Sequence, residues 1–269
     1  MKSWPRNALL ICCTVVAAGG IAIAQNPAIV PAPRTEMVWE SRGETWMGRF
    51  YANVRQVEAG DVDLLFIGDS ITHSWDTLGA EVWEKYYGHR RAVNLGFGGD
   101  RTQHVLWRLI HGKLDRARPS VAVLMIGTNN ANTETPDQIA GGVRAICNTL
   151  RGLLPETKIL VLGVFPRGKT ADDWRRAINN AANAMIAELD DGEWVHYLDI
   201  GDRFLEPGGV LPESIMPDGL HPNERGYQIW AEAMEPALAR LIGDRPITAR
   251  RYSARPAAPE WAREERPRR

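Results

Sequence analysis

The stretch LLFIGDSITHSW, residues 64–75, sets four apolar residues, Leu64 to Ile67, directly before a Gly68-Asp69-Ser70 turn. A run this short, rich in branched residues and without polar alternation, reads as a strand covered on both faces, as in a parallel sheet. The same reading extends to AVNLGF (92–97), VAVLMIG (121–127), KILVLGVF (158–165) and VHYLDI (195–200). Between and after these runs lie RTQHVLWRLIHGKL, PDQIAGGVRAICNTLRGLL, ADDWRRAINNAANAMIAELD and NERGYQIWAEAMEPALARLI, in which apolar residues return every three or four positions. Strand and helix therefore alternate, which predicts a doubly wound α/β domain with about five parallel strands. A leading helix is expected from Met37 to about Glu58, and Pro236 is expected to kink or break the last helix.

The rest of the chain bounds what this domain can do. The 269 residues carry 32 Lys+Arg against 33 Asp+Glu, a formal net charge of -1, so nothing in the balance points to nucleic acid or an anionic surface. Lys2 and Arg6, the apolar run from Ala8 to Ala24 and the small residues Ala22 and Ala24 before Gln25 read as an export signal cut after residue 24. A retained anchor is the competing reading, but the run is shorter than the ~20 residues a spanning helix needs. The expected organisation is a signal at 1–24, a linker at 25–38, the α/β domain at 39–243 and an Arg/Pro-rich disordered tail at 244–269. The location follows: a bacterial periplasm or the medium, with no stable membrane insertion once the signal is gone. Cys12 and Cys13 lie in the signal, which leaves Cys147 as a small buried apolar residue without a disulfide partner.

In an open parallel sheet, ligands bind beyond the carboxyl ends of the strands. The residues just past those ends are Gly68-Asp69-Ser70, Gly96-Phe97-Gly98-Gly99-Asp100 and Gly127-Thr128-Asn129-Asn130, with MPDGLHPNERGY following the fifth strand. A hydroxyl is a weak nucleophile, so Ser70 needs a base, and His221 can take its proton. Asp218, three residues earlier in the same loop, can hold the imidazole in the right tautomer. A developing oxyanion would find donors in the backbone N–H of Ser70 and Gly99 and in the Asn129 amide. The Gly-x-Ser-x-Gly elbow of α/β-hydrolases is absent, since Thr72 stands at its second glycine.

FIGDSIT, NLGFGGD, IGTNN and DGLH resemble, in order and spacing, the four sequence blocks of the SGNH (GDSL) hydrolase superfamily. The segment NLGFGGDRTQHVLWRLIHGKLDRARPSVAVLMIGTNN is similar to the catalytic subunits of platelet-activating factor acetylhydrolases, and the likeness spans roughly residues 61–241. The resemblance implies a flavodoxin-like three-layer α/β/α sandwich. It implies an esterase with Ser70 as nucleophile, Asp218 and His221 completing the triad, and Ser70, Gly99 and Asn129 forming the oxyanion hole. No cofactor and no metal are implied, and a homodimer is allowed because related subunits pair. Asn130 departs from the aspartate usual at the end of the third block, while the donor position Asn129 is kept.

Each of these residues also has a plainer reading. Asp69 suits a turn tied by backbone hydrogen bonds, Asp100 a cap for the helix starting near Arg101, and His73 either a pocket wall or a local hydrogen bond. Trp107 and Trp230 read as core, and Trp75, close after Ser70, as a residue of the pocket or of the core. Arg101 replaces the third glycine of a dinucleotide loop in GFGGDR, so nicotinamide binding is not expected. The expected substrate is a short acyl, most simply acetyl, ester of a carbohydrate or other small molecule. A phospholipid, lysophospholipid or acyl thioester is the alternative substrate, and an idle binding protein on the same fold the alternative class.

Overall fold

In a computed structural model of the protein, residues 26–39, 43–60 and 62–247 are described. The expected signal and the tail beyond residue 247 lie outside them. The five apolar runs form the central sheet: β3 (Leu64–Gly68), β4 (Ala92–Gly96), β5 (Val121–Met125), β6 (Lys158–Leu162) and β7 (Val195–Leu198). All pairings are parallel and the order is β4-β3-β5-β6-β7. This is the flavodoxin-like order, in which winding reverses beside the first strand of the sheet.

Alternate side chains of each strand face opposite layers, and both layers are apolar. Leu65, Ile67, Leu124 and Val161 pack on Leu106, Val143, Ile146 and Ile186. Those partners come from α4 (Thr102–His111), α5 (Pro136–Leu153) and α6 (Trp174–Ala187). Leu64, Phe66, Val123 and Leu160 pack on Tyr87, Trp230, Met234 and Leu238, which belong to α3 (Ala80–Tyr87) and α7 (Glu224–Ile242). Burying each large side chain contributes about 1.5–3 kcal/mol, which is why these runs need no polar alternation.

The amino-terminal region departs from the expectation. The described residues from Met37 up to Trp46 are not helical: β1 (Val38–Trp39) and β2 (Glu44–Thr45) form an antiparallel pair, and the helix, α1, spans only Trp46–Glu58. Its start is set by Thr45, whose hydroxyl accepts the Gly48 N–H at 2.9 Å. The segment expected as a linker is packed down. Asn26 donates to the Gln138 carbonyl at 3.1 Å, the Ala28 carbonyl accepts from Thr102 at 2.8 Å, and the Ala32 N–H reaches the Gln103 carbonyl at 3.1 Å.

Two smaller corrections have local causes. Of the kink or break expected at Pro236, the break does not occur: α7 runs through it as one helix, and Trp230, Met234, Leu238 and Ala239, fully buried on either side, offset the lost hydrogen bond. Asp100 does not cap α4. The Thr102 N–H donates to Asn130 Oδ1 at 3.1 Å and the Arg101 N–H to His104 Nδ1 at 2.9 Å, while Asp100 is drawn inward by Trp46 and Arg108.

Candidate active site

β3 ends at Gly68, where a Cβ would lie 2.4 Å from the Met125 carbonyl oxygen, so the strand can continue only without a side chain there. The chain then turns at Asp69, whose Oδ1 accepts the Ile71 N–H at 3.0 Å, and begins the short helix α2 (Ser70–His73). Ser70 is therefore the first residue of a helix, where backbone N–H groups lack intrahelical acceptors. As the sequence suggests, Asp69 ties the turn.

His221 reaches Ser70 from the loop before α7. Asp218 Oδ1 accepts the N–H groups of Leu220 and His221 at 2.9 and 2.7 Å, which closes the loop on itself. Its Oδ2 lies 2.6 Å from His221 Nδ1, and His221 Nε2 lies 2.9 Å from Ser70 Oγ. The carboxylate accepts a hydrogen bond from Nδ1–H and fixes that tautomer, so Nε2 is left to accept from the hydroxyl. The loop is anchored on both sides. Asn223 caps α7 at Gly226 N with 3.1 Å, and the Gly168 N–H donates to the Gly219 carbonyl at 2.8 Å.

Partial burial pulls the Asp218 carboxyl up, but hydrogen bonds from the His221 side chain and backbone outweigh it and hold the group below its ordinary value. Asp69 goes the other way: full burial pushes it up to about 7, against the opposing pull of the Ile71 N–H and His221. Two carboxyls that both interact with the His221 imidazole are thus shifted in opposite directions by their surroundings.

The glycine-rich turn after β4 faces the same edge. Gly99 has φ +73°, a left-handed conformation that favours glycine, and is half-buried. The Asn129 amide donates one hydrogen to the Asp100 carbonyl at 2.9 Å, leaving its second for a ligand. Asn130 is fully buried and structural, bridging to Thr102 and Gln103 at 3.0 and 3.2 Å. The exchange of aspartate for asparagine there changes a buried brace and leaves the neighbouring Asn129 amide in place.

Other expected residues lie elsewhere. Trp75 is 1% exposed and packs against Tyr227 and Trp230 with ring centroids 4.4 and 4.9 Å away, so it belongs to the core. Trp230 is core as expected, and Trp107, half-buried, packs on the edge of a smaller cluster against Trp46 and Phe50 with ring centroids 5.4 and 5.1 Å away. His73 takes the local hydrogen bond, its Nδ1 accepting the Gly98 N–H at 3.2 Å. Cys147 is buried, and its thiol is pushed up to about 12 by that burial. Among the described residues, no three His, Cys, Asp or Glu side chains are placed to hold a metal ion, and no helix is long and apolar enough to cross a membrane.

Two arginines near this edge carry no signal in the sequence. Arg167 donates to the Thr128 carbonyl at 2.9 Å, and Arg108 bonds Asp100 at 2.8 Å while reaching the Leu95 and Gly68 carbonyls at 3.0 and 3.3 Å. Both are buried, and only the folded chain brings their partners within reach.

A parallel sheet of this order carries a hydrogen-bonded serine, histidine and aspartate past its carboxyl edge, an arrangement suited to acyl transfer. The chain belongs to the GDSL-like lipase/acylhydrolase family, whose family model matches residues 66–229. It is 33% identical over 218 residues to platelet-activating factor acetylhydrolase IB subunit alpha1 of Rattus norvegicus, covering 81% of this chain and 91% of the relative. Among solved structures, a GDSL-like lipase from Bacteroides thetaiotaomicron superposes with a TM-score of 0.57 at 17% identity, over 71% of this chain and 97% of that one. An acetylxylan esterase from Geobacillus stearothermophilus does so with a TM-score of 0.54 at 19% identity, over 71% and 98%. The two structures share the fold.

Proposed function

We propose that this protein is an exported serine esterase that removes a short acyl group, most simply acetyl, from a carbohydrate or another small ester. The observation that carries the reading is the continuous chain from Ser70 Oγ through His221 to Asp218, at 2.9 and 2.6 Å, beside the Gly99 and Asn129 donors. Ser70 Oγ attacks the ester carbonyl carbon as its proton passes to His221 Nε2. The carbonyl oxygen becomes an oxyanion that accepts from the N–H groups of Ser70 and Gly99 and from the Asn129 amide. Collapse breaks the bond to the alcohol, which leaves with the proton from His221. Water, deprotonated by the same imidazole, then releases the acid from Ser70.

The acetyl preference is supported by the name of the relatives, which are acetylhydrolases. Export is supported by the composition of residues 1–24. The same name favours a second reading, in which the acetyl group is carried by a phospholipid. Hydrolysis of p-nitrophenyl esters from acetate to long chains tests the first point, with Ser70→Ala as control. Serine-dependent activity confined to the shortest esters supports an acetylesterase, and rates on acetylated xylooligosaccharide against an acetylated ether phospholipid then separate the two carriers. Activity peaking on long chains rejects the acetyl preference, and a folded protein with no serine-dependent hydrolysis rejects the esterase reading.

A further inference from the structure

The amino-terminal segment does more than pack on α4 and α5. The Arg34 carbonyl accepts the Met37 N–H at 3.0 Å, which turns the chain there, and the Arg34 side chain reaches back to the turn after β4. Its Nη1 donates to the Gly98 carbonyl at 3.1 Å, and a Cβ placed on Gly99 would lie 2.5 Å from the same nitrogen. Trp39 closes on the neighbouring residue, since a Cβ on Gly98 would lie 2.5 Å from its Nε1. From the opposite side of the chain, His73 Nδ1 accepts the Gly98 N–H at 3.2 Å, and His73 Nε2 lies 3.4 Å from Glu44 Oε2.

The Gly98 carbonyl and the Gly99 N–H are the two ends of one planar amide. Whatever holds the oxygen therefore sets where the hydrogen points. A glycine pair has the most backbone freedom of any dipeptide, so this peptide needs an external hold to keep one orientation. A guanidinium supplies a charge-assisted hydrogen bond, stronger than a neutral one, and by drawing electron density toward the oxygen it makes the N–H at the other end a better donor.

We propose that Arg34 is a positioning residue for ester hydrolysis: by bonding the Gly98 carbonyl it aims and polarises the Gly99 N–H toward the oxyanion. The inference rests on the proposed serine esterase reading, in which that N–H stabilises the transition state. A donor that matters chiefly in the transition state affects kcat and not substrate binding.

The test compares wild type with Arg34→Met, which keeps an unbranched stem but donates nothing, and with Arg34→Lys, which keeps the charge. Each is assayed for kcat and KM on p-nitrophenyl acetate and for thermal midpoint, with Ser70→Ala alongside. Loss of a whole oxyanion donor costs on the order of 100- to 1000-fold in kcat, so a donor misaligned but present should cost roughly 10- to 100-fold. The expected result is that fall for Arg34→Met, with KM within about twofold of wild type and recovery of part of the rate in Arg34→Lys. A kcat within twofold of wild type overturns the proposal. So does a raised KM with kcat unchanged, which would make Arg34 a substrate-binding group. If Arg34→Met does not fold, Arg34→Lys against wild type reads the same kcat-to-KM split. Activity that survives Ser70→Ala overturns the esterase reading itself, and this inference with it; a dead Ser70→Ala with a fully active Arg34→Met overturns this inference alone.

Discussion

Tyr227 donates its hydroxyl to the carbonyl oxygen of Ile71 at 2.6 Å, across 156 residues of sequence. One partner lies in the helix that starts at Ser70 and the other in the helix that follows His221, so this bond sets how far the two side chains stand apart. Both groups are buried, and the ring is wedged against Trp75 at 4.4 Å. Tyr227→Phe keeps the ring and leaves the Ile71 carbonyl without its partner, which costs about 1–3 kcal/mol of stability. The expected outcome is a lower urea midpoint together with a several-fold fall in kcat. An unchanged kcat at reduced stability would mean that the spacing of Ser70 and His221 is held by other contacts.

Asp218 serves its loop through one oxygen and His221 through the other. Asp218→Asn can still accept the Leu220 and His221 N–H groups, so the loop and the melting temperature are expected to persist. The imidazole loses the acceptor that fixes its tautomer, and kcat is expected to fall by as much as about 10,000-fold. Steady-state kinetics on acetate esters, alongside the thermal midpoint, check the separation of the two oxygens.

Asp69 makes stability depend on pH in a stated direction. Its carboxyl is raised from an ordinary 3.8 to about 7, chiefly by burial. Between those two values the unfolded chain has released the proton and the folded chain retains it. The folded state therefore loses stability as pH rises through this window and levels off above it. Asp69→Asn has no such proton, so its stability relative to wild type should increase by on the order of a few kcal/mol from pH 4 to pH 7. Urea unfolding of both proteins at three pH values reads the difference; a constant gap would mean that Asp69 titrates as an ordinary carboxyl.

Asp100 and Arg108 form a buried ion pair at 2.8 Å, with Trp46 Nε1 on the other carboxylate oxygen at 2.8 Å and the guanidinium 4.0 Å from the centre of the Phe97 ring. Burial pushes the aspartate up and the arginine down, and each partner opposes the shift in the other. Asp100→Asn strands a buried cation and is expected to cost about 3–5 kcal/mol. Arg108→Met strands the carboxylate. The double variant is expected to be less destabilised than the sum of the two, because it leaves neither charge alone. Denaturant midpoints of the four proteins give that coupling.

What the sequence by itself determined is what depends on local pattern. The strands β3 to β7 are apolar runs bounded by glycines and polar turns, and α4 to α7 carry apolar residues at helical spacing. Both signals are written within a few residues, because they follow from which side chains one element must bury. The types and order of the candidate site residues were legible for a related reason: strand ends of a parallel sheet meet at one edge whatever the intervening helices contain. What only the tertiary structure decided is what depends on partners far away in the chain. Asp100 looked like a cap and became half of a buried pair, because Arg108 and Trp46 stand next to it only after folding. Trp75 left the pocket for the core because α7 brings Tyr227 and Trp230 against it. The segment before α1 looked like a linker and packs on α4 and α5. Arg34 carries no periodicity at all, and its contact with Gly98, 64 positions away in the chain, exists only once the two segments are brought together by folding. A long-range hydrogen bond leaves no local pattern, since either partner alone is as well served by water until the fold removes it.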